Sequence, residues 1–118
     1  MIKLFFVLII VFSVISYLRN KGKYDEVILD SQSTLIDVRT SAEYNDGHLK
    51  NALNIPHTEI KEKISQYVSS KDQRIIVYCR SGRRSEIAKD VLNSMGYENV
   101  LNGGAYATLK RQEAVLQK

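Results

Sequence analysis

The chain holds one cysteine, Cys79, in the stretch IIVYCRSGRRS at residues 75–85. Arg80, Arg83 and Arg84 crowd behind it, with Ser81 and Gly82 between. The thiolate is the reactive form of cysteine. Nearby cations or a helix N-terminus bring its pKa from about 8.5 into a range of about 3.5 to 7.5. The same groups attract a small anion. Taken alone, a free cysteine reads as a small buried hydrophobe. Three guanidinium groups change that reading, because they keep their charge and are seldom buried unpaired. No neighbouring residue stands out as a general base, and a preformed thiolate needs none. Cys79 therefore reads as a nucleophile set in an anion-binding loop.

The flanking elements must deliver such a thiol. Residues 74–78 are the strongest strand in the chain, rich in β-branched and aromatic side chains. Ser85 to Met95 carries Ile87, Ala88, Val91, Leu92 and Met95 on one helical face, with Gly96 as a stop. A strand, a loop and a helix in that order put Cys79 at the carboxyl end of a strand, where open parallel sheets collect ligands. Leu35 to Val38, Ala52 to Ile55 and Val100–Leu101 read as further strands. Asp25 to Asp30 reads as a helical turn. A short helix capped by Thr40 or Ser41 is expected to contain Glu43 and Tyr44. A longer one over 58–68 has Ile60, Ile64, Tyr67 and Val68 at helical spacing. Gly103–Gly104 reads as a turn and Ala105 onward as a last helix. Alternating strands and helices define an α/β domain with a mostly parallel sheet.

Leu4 to Leu18 is almost unbroken apolar sequence, with Lys3 before it and Arg19, Lys21 and Lys23 after. It lacks amphipathic periodicity, which argues against a surface helix. It is shorter than the roughly 20 residues of a typical span. Residues 1–22 are expected to be a signal peptide or a membrane anchor, and residues 23–118 the folded domain. The two readings place the domain on opposite sides of a membrane, outside for a signal and inside by the positive-inside rule for an anchor. The net charge of +4 comes from scattered, acid-interleaved basic residues, so no nucleic acid partner is expected. One cysteine excludes an intrachain disulfide and a multi-cysteine metal site.

Three stretches together resemble the rhodanese-like (sulfurtransferase) domain family. LIDVRTSAEYNDGHLKNALNIP is similar to its N-terminal signature, IIVYCRSGRRS to its active-site strand and loop, and MGYENVLNGG to the turn, strand and glycine pair that follow. The resemblance covers Thr34 to Gly104. It implies a five-stranded, mainly parallel sheet flanked by helices. It also implies transfer of sulfane sulfur from an anionic donor such as thiosulfate to a thiol or cyanide, through a persulfide on Cys79. The backbone amides of Arg80, Ser81, Gly82, Arg83 and Arg84 would cradle that persulfide, and the arginine side chains would bind the anion. No cofactor is implied, and the chain is expected to act as a monomer. The family often has Gly where this chain has Asn51, and a Trp after the glycine pair, whereas this chain has no Trp.

Asp37 and Arg39 end the strand beside the active-site strand. An ion pair or loop-ordering role is the simpler reading for both, with Glu43 as a partner for Arg39. His48 reads as structural and His57 as exposed. Neither has a second ligand at metal spacing, so no metal is expected. A cysteine phosphatase or arsenate reductase would use similar anion binding, but the related phosphatase loops are C-x5-R. Here four residues separate Cys79 from Arg84, a tighter loop suited to sulfur. A non-catalytic binding module would typically lack the cysteine.

Overall fold

The computed structural model describes residues 2–20 and 27–116. The elements in chain order are α1 (Ile2–Asn20), β1 (Thr34–Asp37), α2 (Ser41–Asn45), β2 (Leu53–Asn54), α3 (Ile60–Tyr67), β3 (Ile75–Cys79), α4 (Arg83–Ser94), β4 (Val100–Ala105) and α5 (Tyr106–Leu116). The strands form one sheet in the order β2-β1-β3-β4, every pairing parallel.

Strand β3 lies in the interior of this sheet, and all five of its residues are buried. Both faces of a parallel sheet must be covered, and the near-continuous apolar run IIVYC suits that position. Alternation sorts its side chains. Ile75, Val77 and Cys79 join Ile60 and Ile64 of α3 and Ala88 and Leu92 of α4 in one core cluster. Ile76 and Tyr78 join Leu49 and Leu109 in a second cluster on the opposite face. The period-2 rule therefore decides that Cys79 points to the α4 side.

The described residues contain four strands, against the five implied by the resemblance. Residues 27–30 run without a ladder. Instead the Val27 carbonyl accepts a hydrogen bond from the Gln112 side chain of α5 at 3.1 Å, and the Val27 side chain is buried. The helical turn expected over 25–30 is absent from 27–30, and its first two residues lie outside the described ones. The glycine pair is a second correction. Gly103 and Gly104 lie within β4 rather than in a turn. Val77 faces Asn102 while Tyr78 faces Gly104, so Gly103 is the extra residue of a bulge.

The helices form close to where periodicity puts them. Thr40 caps α2 through a capping box: its Oγ1 accepts from the Glu43 amide at 3.2 Å, while Glu43 Oε1 accepts from the Thr40 amide at 3.2 Å. Helix α4 ends in a Schellman motif. The Tyr97 amide donates to Leu92 O and the Gly96 amide to Asn93 O, both at 3.1 Å, with Gly96 at φ 96°. Two expected core residues face outward, Tyr67 on α3 and Ile87 on α4, which are 52% and 48% exposed. Each sits at the edge of its helix's apolar stripe, one residue away from a better-placed neighbour, Val68 and Ala88.

Helix α1 takes no part in the core. Its large apolar side chains from Leu4 to Ile15 are 44% to 72% exposed. Among the described residues, no helix is long and apolar enough to cross a membrane.

Candidate active site

Cys79 is the last residue of β3 and is fully buried. Gly82, three residues on, caps α4 with φ 93°, a left-handed conformation that glycine adopts without the clash a Cβ brings. This turn folds the loop back over the sulfur. The Gly82 amide donates to Cys79 Sγ at 2.9 Å. The Ser85 hydroxyl lies 3.5 Å from the same sulfur. Burial by itself pushes the Cys79 thiol pKa up. The donors at the sulfur outweigh that effect: the Ser85 hydroxyl and the amides of Ser85, Ser81 and Gly82 hold the thiol below its ordinary value.

The amides that converge on Sγ are thus those of Ser81, Gly82 and Ser85. Ser81 and Gly82 belong to the set of five amides expected around a persulfide, and Ser85 is a donor to the bare sulfur beyond that set. Ser85, expected only as the start of the helix, brings both its hydroxyl and its amide to the sulfur.

The three arginines separate. Arg84 forms a bidentate pair with Glu43 of α2, at 2.7 and 2.9 Å. Glu43 was expected to pair with Arg39 instead. The capping box explains the choice, because it fixes the Glu43 carboxylate over the start of α2, facing α4. The Arg84 guanidinium, opposed by burial and assisted by the Thr40 amide and hydroxyl, brings the Glu43 pKa down to about 2. Arg80 and Arg83 are exposed. Both stand on the rim of the loop without an ion-pair partner among the described residues.

Asp37 and Arg39 form the structural ion pair expected of them. Arg39 Nε lies 3.0 Å from both Asp37 oxygens, and its Nη2 is 2.6 Å from Asp37 Oδ2 and from Gly47 O. The guanidinium also covers the Tyr106 ring, 4.4 Å from its centroid. Asn54 Nδ2 donates to the carbonyls of Asp37 and Arg39, both at 3.1 Å. The loop after β1 is thereby tied to β2 and to the Gly47 carbonyl. His48 is structural too, stacked on Tyr44 at 3.6 Å with its Nδ1 donating to Tyr44 O at 2.8 Å. His57 is half-buried rather than exposed.

Asn102 was missed. It is 1% exposed in β4, and its side-chain amide reaches into the Cys79 loop. Its Oδ1 accepts from Ser85 Oγ at 2.7 Å, and its Nδ2 donates to Gly82 O at 3.1 Å. The available signal was an amide side chain in a strand, where Asn is depleted.

A parallel sheet carrying a lone, donor-stabilised cysteine at the end of β3, under the loop that leads into α4, matches a known class of protein. The rhodanese-like domain model matches residues 18–110, and the chain belongs to that family. It is 45% identical over 69 residues to the thiosulfate sulfurtransferase PspE of Escherichia coli, covering 58% of this chain and 66% of that protein. It is 34% identical over 94 residues to a tRNA uridine(34) hydroxylase of Erwinia tasmaniensis, covering 73% of this chain and 27% of the hydroxylase. The match spans less than two thirds of either relative. Among solved structures, a rhodanese with anions from E. coli superposes with a TM-score of 0.62 at 41% identity, covering 64% of this chain and 88% of that one.

Proposed function

We propose that the chain is a sulfurtransferase that moves sulfane sulfur from a thiosulfate-like donor to a thiol or cyanide through a persulfide on Cys79. The observation that carries this reading is the Gly82 amide on Cys79 Sγ at 2.9 Å, in a loop whose other donors also favour the thiolate. The Cys79 thiolate attacks the outer sulfur of thiosulfate. A Cys79–sulfur bond forms, the donor S–S bond breaks, and sulfite leaves with the electron pair. The acceptor thiolate or cyanide then attacks the outer sulfur of the persulfide. That sulfur departs with the acceptor, and the electron pair returns to Cys79 as thiolate. Splitting one transfer into two displacements is the general benefit of covalent catalysis. The amides of Ser81, Gly82 and Ser85 stabilise the anionic sulfur, and exposed Arg80 and Arg83 attract the anionic donor. Arg84, committed to Glu43, shapes the loop. The similarity to the thiosulfate sulfurtransferase PspE supports the choice of donor.

Thiosulfate treatment of the intact protein is expected to add one sulfur, seen by mass spectrometry and released by cyanide. Cys79→Ser should show no gain. A gain that survives this substitution, or no gain in the native chain, overturns the assignment. An aryl phosphate turned over in a Cys79-dependent manner would favour the phosphatase reading instead.

The apolar run Leu4 to Leu18 of helix α1, exposed from Leu4 to Ile15, with Lys3 before the run and Arg19, Lys21 and Lys23 after it, fits a membrane-targeting segment. Its apolar run is short for a span but matches the apolar stretch of an export signal. We assign the domain to the outer side of the membrane on that basis. Protease digestion of intact cells should degrade the domain, and full protection would reverse the assignment.

A further inference from the structure

Asn102 lies on β4, the strand beside β3, in register with Val77. Its Oδ1 accepts from Ser85 Oγ at 2.7 Å and from the Gly104 amide at 2.9 Å. Its Nδ2 donates to Gly82 O at 3.1 Å and to Glu86 Oε2 at 2.7 Å. Turning the amide over would aim the oxygen at a carbonyl and a carboxylate, and the NH2 at the Gly104 N–H. Its orientation is therefore unambiguous. The bulge at Gly103 makes this possible, because it brings the Gly104 amide round to the same oxygen.

Ser85 and Gly82 are the two residues whose donors lie nearest Cys79 Sγ. Both are held by this one amide. Ser85 has a single hydroxyl proton and two acceptors in reach, Asn102 Oδ1 and Cys79 Sγ. Asn102 thus fixes the place of Oγ beside the sulfur, and the proton can follow the sulfur's charge. A thiolate draws this hydrogen bond, and a neutral persulfide sulfur leaves it directed at Asn102 Oδ1.

We propose that Asn102 is a positioning residue for Cys79: lent by the neighbouring strand, its amide holds the Ser85 hydroxyl and the Gly82 peptide where they keep the sulfur a thiolate. Glu86 is the outer anchor of the same chain of contacts. This inference rests on the reading of Cys79 as the nucleophile. The other charged groups around the loop are Arg84 on α4, paired with Glu43 of α2, the exposed Arg80 and Arg83, and Asp37 at the end of β1, paired with Arg39.

The test is the pH profile of Cys79 alkylation by iodoacetamide, which needs no sulfur donor. Asn102→Ala is expected to move the profile up by about one pH unit, which is about tenfold less thiolate on its lower limb. Ser85→Ala should move it the same way. The double variant should move it no further than the larger single, since both act through one contact. A profile for Asn102→Ala that coincides with the native one, or shifts that add, overturns the proposal. Glu86 supplies a second, surface-side test that holds even where Asn102→Ala does not fold. Glu86→Gln keeps an acceptor for Nδ2 and Glu86→Ala removes it, while both remove the charge. The Ala profile should lie at higher pH than the Gln profile, and superimposed profiles overturn the inference. A native chain with a lowered alkylation profile that gains no sulfur from thiosulfate would defeat the sulfurtransferase reading and leave the role of Asn102 standing.

Discussion

At the scale of single residues, charge near the thiol serves two purposes that sequence spacing alone does not separate. Arg84 is paired with Glu43, so the function proposed above leaves donor recognition to Arg80 and Arg83 on the rim. Arg80→Ala and Arg83→Ala are each expected to raise KM for thiosulfate by about tenfold, the worth of about 1.4 kcal/mol of lost anion contact, with a salt dependence weaker than the native enzyme's. Steady-state kinetics at two ionic strengths would show it, and an unchanged KM would return Arg84 to consideration. The Glu43–Arg84 pair should be visible in stability instead. The Glu43 carboxyl is held at about 2 by Arg84, below its ordinary value near 4.3. A depressed carboxyl pKa contributes stability that is fully present above the unfolded value and is lost as pH falls through the folded one. Glu43→Gln should therefore be about 1 kcal/mol less stable than the native chain at pH 7. The two should converge between about pH 4.5 and pH 2. Urea melts across that window would reveal a constant difference if the pair were not the cause.

At the scale of elements, Asn51 shows how local chemistry is met by an unusual residue. It is the non-glycine residue with positive φ among those described, at 65°. Asn tolerates this left-handed conformation better than other side chains. Asn51→Gly is expected to leave thermal stability nearly unchanged, whereas Asn51→Ala should cost about 1 kcal/mol. Equal effects would show that the side chain, not the backbone, matters there. Two residues after the glycine pair, Tyr106 supplies an aromatic ring, stacked 6.1 Å from Tyr78 and covered by Arg39. Element types were legible because apolar periods of 2 and 3.6 coincide with burial in β3 and α4. The capping box was legible as Thr40 and Glu43 three residues apart. The partner of Glu43 was not, because Arg39 and Arg84 are both plausible until the chain is folded. Asn102 escaped notice because its role depends on pairing between β3 and β4 and on a one-residue bulge. The pairing leaves no mark on local sequence, and the glycine pair that marks the bulge reads equally well as a turn.

At the scale of the whole molecule, the core is complete without α1. Its apolar residues are exposed, while both faces of the sheet are covered by other elements. A chain beginning at residue 23 is expected to melt within about 2 °C of the full one, a difference that corresponds to well under 1 kcal/mol for a domain this size. It should lose its pelleting with lipid vesicles. A large drop in melting temperature would mean that α1 packs on the domain after all. The family to which the chain belongs was legible from three separated stretches. The four strands read from the residues themselves are the four observed; the fifth was implied by the resemblance alone, and residues 27–30 are instead tied to α5 through the Val27 carbonyl.

The complete burial of Cys79 bears on which of two sulfurs an acceptor can strike. A persulfide is electrophilic at both atoms. Attack on the outer one carries sulfur away and frees the protein. Attack on the inner one expels hydrosulfide and leaves the acceptor bonded to the protein as a mixed disulfide. With Cys79 Sγ buried under the loop, the inner sulfur of the proposed persulfide is the less accessible of the two, and attack on the outer one is the expected outcome. Discharge of the loaded protein with free cysteine should return it to the mass of the bare thiol, with no cysteine adduct at Cys79.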